Sequence, residues 1–122
     1  MEGIHHLALR VHDCDIAARF YGSNVGLHEM RRTTTESGEL RAVWMRAGTT
    51  VLMLERSIRG TGAESGSGHV LVFPVDDLAT AEQRLHASGV PVTDRTAATL
   101  YFEDPDGHRV GLSTYRFEFE TS

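Results

Sequence analysis

The chain has 122 residues, enough for one domain with a sizeable core and too few for two independent ones. Its 17 acidic residues against 12 basic ones give a net charge of −5, which removes the electrostatic case for nucleic acid or an anionic membrane surface. No segment approaches the roughly 18 apolar residues of a membrane span, the opening MEGIHHLALRV lacks a basic and then apolar leader, and the single cysteine cannot close an internal disulfide. A cytoplasmic protein is therefore expected.

Residues 4–11, IHHLALRV, alternate so that Leu7, Leu9 and Val11 share one face and His6, Ala8 and Arg10 the other, which predicts a half-buried strand. Asp13 stands where a helix N-cap belongs. Ile16, Ala17, Phe20 and Tyr21 then form an apolar stripe ending near Gly26. Cys14 lies between Asp13 and Asp15, carboxylates that raise a thiol pKa, which argues against a catalytic thiol. Strands are predicted over 28–34, 40–46 and 50–56, separated by turn signals at Glu36–Glu39 and Ala47–Thr49.

Ser57–Gly68, SIRGTGAESGSG, is Gly- and Ser-rich without apolar period and reads as a flexible connection. Its Gly60-Thr61-Gly62 lacks the strand-to-helix context and Gly-Lys-Ser/Thr ending of a phosphate loop, and no Gly-x-Ser-x-Gly elbow exists elsewhere. A strand over 70–75, a helix over about 78–88 stopped by Gly89, and strands over 91–94, 99–103 and 108–115 follow. The last two flank Asp104-Pro105-Asp106-Gly107, a strong turn sequence. The tail Arg116–Glu120 alternates apolar and charged residues, which suits a strand extension across a dimer and equally a frayed end.

Superposing Val11 on Val75 also superposes Asp13 on Asp77 and Ala17 on Ala81, so the chain is one unit written twice. The expected fold class is α+β: a single domain, 1–122, in which a βαβββ unit (1–57), a linker (58–68) and a second βαβββ unit (69–118) follow one another. Clefts between repeats are where pockets form.

The doubled βαβββ pattern resembles the vicinal oxygen chelate superfamily, the glyoxalase, bleomycin resistance protein and extradiol dioxygenase group. The residues that carry the likeness are His6-Leu7-Ala8-Leu9-Arg10-Val11 with Asp13, Phe20-Tyr21 with Val25-Gly26-Leu27, and the Asp104–Gly107 turn before His108. The resemblance implies a curved mixed sheet around a central cavity, often completed by a second subunit, so a homodimer is expected. It also implies, in catalytic members, a divalent metal held by a first-strand His and a last-strand Glu, with open positions for vicinal substrate oxygens.

His6 matches the first-strand ligand position. Five residues before Val75 stands Val70, whereas His69 falls one residue earlier and belongs to the opposite face unless a bulge near Pro74 restores the parity. Gly111 occupies the position of the last-strand Glu, where it is expected to make room, and in the first unit Met53 does so, with Glu55 one rung further. The candidate metal set is thus His6, Glu55 and His69, and Glu55 is the candidate catalytic acid or base. The expected pocket is lined by His6, Arg10, Met53, Glu55, Val70, Val72, Arg109, Gly111, Ser113 and Tyr115, with Arg10 or Arg109 available to an anionic ligand.

Two readings of function follow. The first is a protein whose cavity binds a small organic molecule, with the family metal site incomplete and no cofactor. The alternative is a lyase, isomerase or dioxygenase dependent on a divalent metal (Zn, Ni, Mn or Fe) and acting on vicinal oxygens.

Overall fold

The computed structural model describes residues 3–56 and 68–118. Apart from Gly68, the expected linker lies outside the described residues, as do Phe119 and Glu120 of the tail. The first unit runs β1 (His6–Val11), α1 (Cys14–Asn24), β2 (His28–Thr34), β3 (Leu40–Ala47) and β4 (Thr50–Arg56). The second runs β5 (Val70–Pro74), α2 (Leu78–Ala87), β6 (Asp94–Arg95), β7 (Thr99–Glu103) and β8 (Arg109–Ser113). Each unit closes its own four-stranded mixed sheet, in the orders β1-β4-β3-β2 and β5-β8-β7-β6, with the first and last strands of the unit parallel.

Both helices start as the sequence predicts. Asp13 accepts from the Ile16 N–H at 2.9 Å and Asp77 from the Thr80 N–H at 3.1 Å, each satisfying an otherwise orphaned helix donor. α1 ends where the N–H groups of Val25, Gly26 and Leu27 all point to the Tyr21 carbonyl, a closure that takes Gly26 to φ +84°. The strand expected over 91–94 shrinks to Asp94–Arg95, because Pro91 has no N–H to offer a ladder and Val90 and Val92 pack against the core instead.

The alternation in each strand sorts side chains onto two faces. Leu9 and Val11 of β1, Val43 and Met45 of β3, Leu52 and Leu54 of β4, and Leu100, Phe102, Val110 and Leu112 of the second sheet are buried on the helix side. These residues form one core with Ala17, Ala18, Tyr21, Ala81 and Leu85 of the helices. Both sheets turn their helix sides into that common core.

A polar junction joins the units inside this core. The Tyr21 hydroxyl donates to Asp104 Oδ2 at 2.7 Å, while Asp104 Oδ1 accepts from the N–H groups of Asp106 and His108, each at 2.9 Å. The buried His108 ring places Nε2 2.8 Å from the Arg10 carbonyl, which only accepts, so Nε2 carries the proton. Burial first, and then the Asp104 carboxylate, push the Tyr21 phenol far above its ordinary pKa, so it stays a donor at any working pH. Tyr21→Phe strands a buried carboxylate oxygen, and urea unfolding is expected to show about 1–3 kcal/mol less stability with an unchanged m-value.

Candidate functional site

The outer faces carry the candidate residues. On the first sheet His6, Ala8 and Arg10 stand beside Val51, Met53 and Glu55 in register, and Met53 faces Trp44 across the β3–β4 ladder. On the second sheet Val70 and Val72 pair with Arg109 and Gly111, and Gly111 in turn with Tyr101. The ten expected pocket residues therefore divide: His6, Arg10, Met53 and Glu55 belong to one face, and Val70, Val72, Arg109, Gly111, Ser113 and Tyr115 to the other sheet and its exit.

Two described concavities follow this division. One, of about 380 Å³, is lined by Arg10, Thr35, Arg41, Glu55 and Arg56 at the far end of the first sheet. The other, of about 610 Å³, lies on the second sheet among Val72, Thr99, Tyr101, Ser113, Tyr115 and Phe117. A third, of about 280 Å³, joins the β1 and β5 edges through Ile4, Leu7, Leu71 and Phe73.

The metal-ligand candidates do not converge. His6 is opposite Val51 and Glu55 opposite Arg10, so four rungs, about 13 Å at the rise of a strand, separate them on side chains that stand perpendicular to the sheet. The His6 Nδ1 instead lies 2.8 Å from His5 Nδ1, and its ring sits 5.7 Å from that of Trp44. The bulge that would turn His69 to this face does not form: β5 pairs with β8 in unbroken register from Val70 to Pro74. His69 Nε2 is directed at His108 Nδ1, 3.1 Å away, in the junction between the units. Ligand atoms of one divalent ion lie within about 2.0–2.6 Å of it. Among the described residues no three His, Cys, Asp or Glu side chains of one chain meet that requirement.

Space at Gly111 is tight: a Cβ built there would lie 3.2 Å from Tyr101, 3.2 Å from Val72 and 3.3 Å from Thr99, so these side chains would have to give by a few tenths of an ångström to admit one. Arg109 is likewise committed, stacked 4.4 Å over the Tyr101 ring and 3.3 Å from Asp94. Arg10 has no side-chain partner among the described residues. Cys14 is buried against the Arg41 carbonyl, and desolvation, with Asp13 second, raises its thiol pKa.

Sequence reasoning missed Trp44, whose indole Nε1 is buried without an acceptor among the described residues, and Tyr101 and Thr99 of the second sheet. The two-residue period of 40–46 and 99–103 carried that information, since it places Trp44 opposite Met53 and Tyr101 opposite Gly111.

The Glyoxalase/Bleomycin resistance protein/Dioxygenase superfamily model matches residues 3–112, and the chain belongs to that superfamily. No curated protein sequence matches it. Among solved structures it is similar to the fosfomycin resistance protein FosX from Mesorhizobium loti, with a TM-score of 0.79 at 19% identity over 95% of this chain and 94% of that one. It is also similar to FosX from Listeria monocytogenes (0.78, 18%, 95% and 93%). A lactoylglutathione lyase from Agrobacterium tumefaciens gives 0.69 at 22% identity over 93% of each chain. At these identities the likeness is one of fold.

Gly111→Glu, which restores the family carboxylate in sequence, is expected to cost about 1–3 kcal/mol through overpacking against Tyr101 and Val72 in urea titrations, and to bring no gain in metal affinity by calorimetry. Native Cys14 is expected to react with a disulfide reagent at pH 8 at least about tenfold more slowly than in urea, as a buried, pKa-raised thiol must.

Proposed function

We propose that this protein binds a small organic molecule through the outer faces of its sheets, without a family-type metal centre, and that a second copy brings two such faces together. The observation that carries the reading is the packing at Gly111: where the family expects a ligand carboxylate, Tyr101, Val72 and Thr99 form a closely packed wall beside a concavity of about 610 Å³. That volume lies within the usual range of ligand pockets, and its wall is apolar with a few hydroxyls, which suits an organic ligand. Thr99 Oγ1 donates to Ser113 Oγ at 2.8 Å, which orients the Ser113 hydroxyl at that wall.

Association in pairs is supported by what one chain leaves uncovered. β1 and β5 are sheet edges, and Ile4, Val70, Val72, Tyr115 and Phe117 are exposed to between 38% and 74%. Contiguous apolar surface beside open edges is the kind of surface that oligomers bury. No described helix is long and apolar enough to cross a membrane, and one buried thiol agrees with a reducing cytoplasm as the working compartment.

Light scattering on the purified protein tests the pairing, with twice the 13.5 kDa chain mass expected. Elemental mass spectrometry after incubation with Mn, Fe, Ni and Zn is expected to find no retained metal that depends on His6, while a thermal-shift screen of small molecules finds stabilising ligands. Near-stoichiometric metal lost in His6→Ala would sink this reading in favour of a chelate enzyme. Tyr101→Ala is expected to weaken a ligand found in the screen by about tenfold or more, as removal of an aromatic pocket wall generally does.

A further inference from the structure

The basic residues of this chain are all arginines, and their pairing is uneven. Among the described residues Arg19, Arg32, Arg56, Arg95, Arg109 and Arg116 are bonded to carboxylates, and Arg46 donates to the Gly48 carbonyl. Arg10, Arg31, Arg41 and Arg84 make no side-chain hydrogen bond or ion pair there. Two of these four, Arg10 and Arg41, line one concavity of about 380 Å³ together with Arg56, Thr35 and Glu55.

We infer that this concavity is an oxyanion site, which recognises the carboxylate, phosphate or sulfate group of a small ligand through Arg10 and Arg41. The inference rests on the reading of the outer sheet face as the ligand face, and it gives that ligand a charge. The site is built at the end of the β1-β4-β3 ladder, where the register sets Arg10 beside Glu55 and Glu55 beside Ala42, the neighbour of Arg41. By strand parity Arg41 leaves β3 on the face opposite Ala42, so the two guanidinium groups reach the concavity from either side of the ladder's end.

Arg56 braces the rim. Its Nη1 lies 2.7 Å from Glu39 Oε2, tying β4 to the β2–β3 turn, and Thr35 Oγ1 accepts from the Glu39 N–H at 3.1 Å in the same turn. Arg56 is therefore spent on structure, while Arg10 and Arg41 keep their planar donor forks for a ligand. Guanidinium groups match carboxylate and phosphate oxygens in pairs, which a solvated ammonium does not. Glu55, half-buried beside Arg10 and without a bond to it, adds a negative charge that favours a ligand whose anionic group is flanked by a hydroxyl or amino donor. In a chain of net charge −5 such a positive focus is local, not a consequence of overall balance.

The test is a titration of the full chain with inorganic phosphate at constant ionic strength, read at the arginine Nε–Hε resonances by NMR. Saturable shifts at Arg10 and Arg41, with Arg31 and Arg84 unmoved, are expected. The double variant R10Q/R41Q, checked for folding by circular dichroism, is expected to bind phosphate about tenfold more weakly or not at all. No saturable shift, or parallel drift at all four arginines, overturns the site. A neutral screening hit whose affinity R10Q/R41Q leaves unchanged also overturns it, yet leaves the proposed ligand face standing. Saturable phosphate binding with no organic ligand found in the screen supports the oxyanion site and fails the broader reading.

Discussion

The Tyr21 hydroxyl on Asp104 is the contact on which the relation of the two units depends. It reaches from a helix of the first unit to the turn of the second, 83 positions later in sequence, inside a region that is almost wholly apolar. A carboxylate at 5% exposure is tolerable only because three donors surround it, and each is fixed by a different piece of local structure. Tyr21 comes from the buried face of α1, while the Asp106 and His108 N–H groups come from the tight turn that Gly107 closes at φ +83°. The same turn sends Asp106 Oδ1 to the His12 N–H at 2.7 Å and the His108 ring to the Arg10 carbonyl. One turn thereby fixes the end of β1, and with it the position of Arg10.

The junction draws the helix sides of both sheets inward, and the described concavities lie on the first sheet, on the second, and where the β1 and β5 sides adjoin. The second sheet offers an apolar wall with paired hydroxyls, and the first offers arginines, a carboxylate and the His6–Trp44 pair. His69 places its Nε2 3.1 Å from Nδ1 of His108, itself part of the junction.

Packing around Gly111 is tight on three sides. Loss of a large residue in a close-packed ladder leaves a gap that costs stability unless neighbours collapse into it. Here Tyr101, Val72 and Thr99 close in to about 3.2–3.3 Å of the missing Cβ, and the Arg109 guanidinium then lies over the Tyr101 ring.

Much of the fold was legible in the chain itself because its signals are local. Two-residue alternation, the capping aspartates Asp13 and Asp77, the stops near Gly26 and Gly89 and the Asp104–Gly107 turn each depend on neighbours a few positions away, and their repetition defines the doubled unit. The assignment of His6, Arg10, Met53 and Glu55 to one face was equally readable, since parity along a strand is a local property. Pairing between distant segments was not. Whether β5 carries a bulge, which neighbours fill the space at Gly111, that Arg109 is spent on Asp94 while Arg10 is not, and how far His6 lies from Glu55 along the β1–β4 ladder all depend on register and on side chains many residues apart. Local sequence therefore determined the elements and their faces, and tertiary structure alone decided which faces meet, because close packing is settled among residues that the chain does not place side by side.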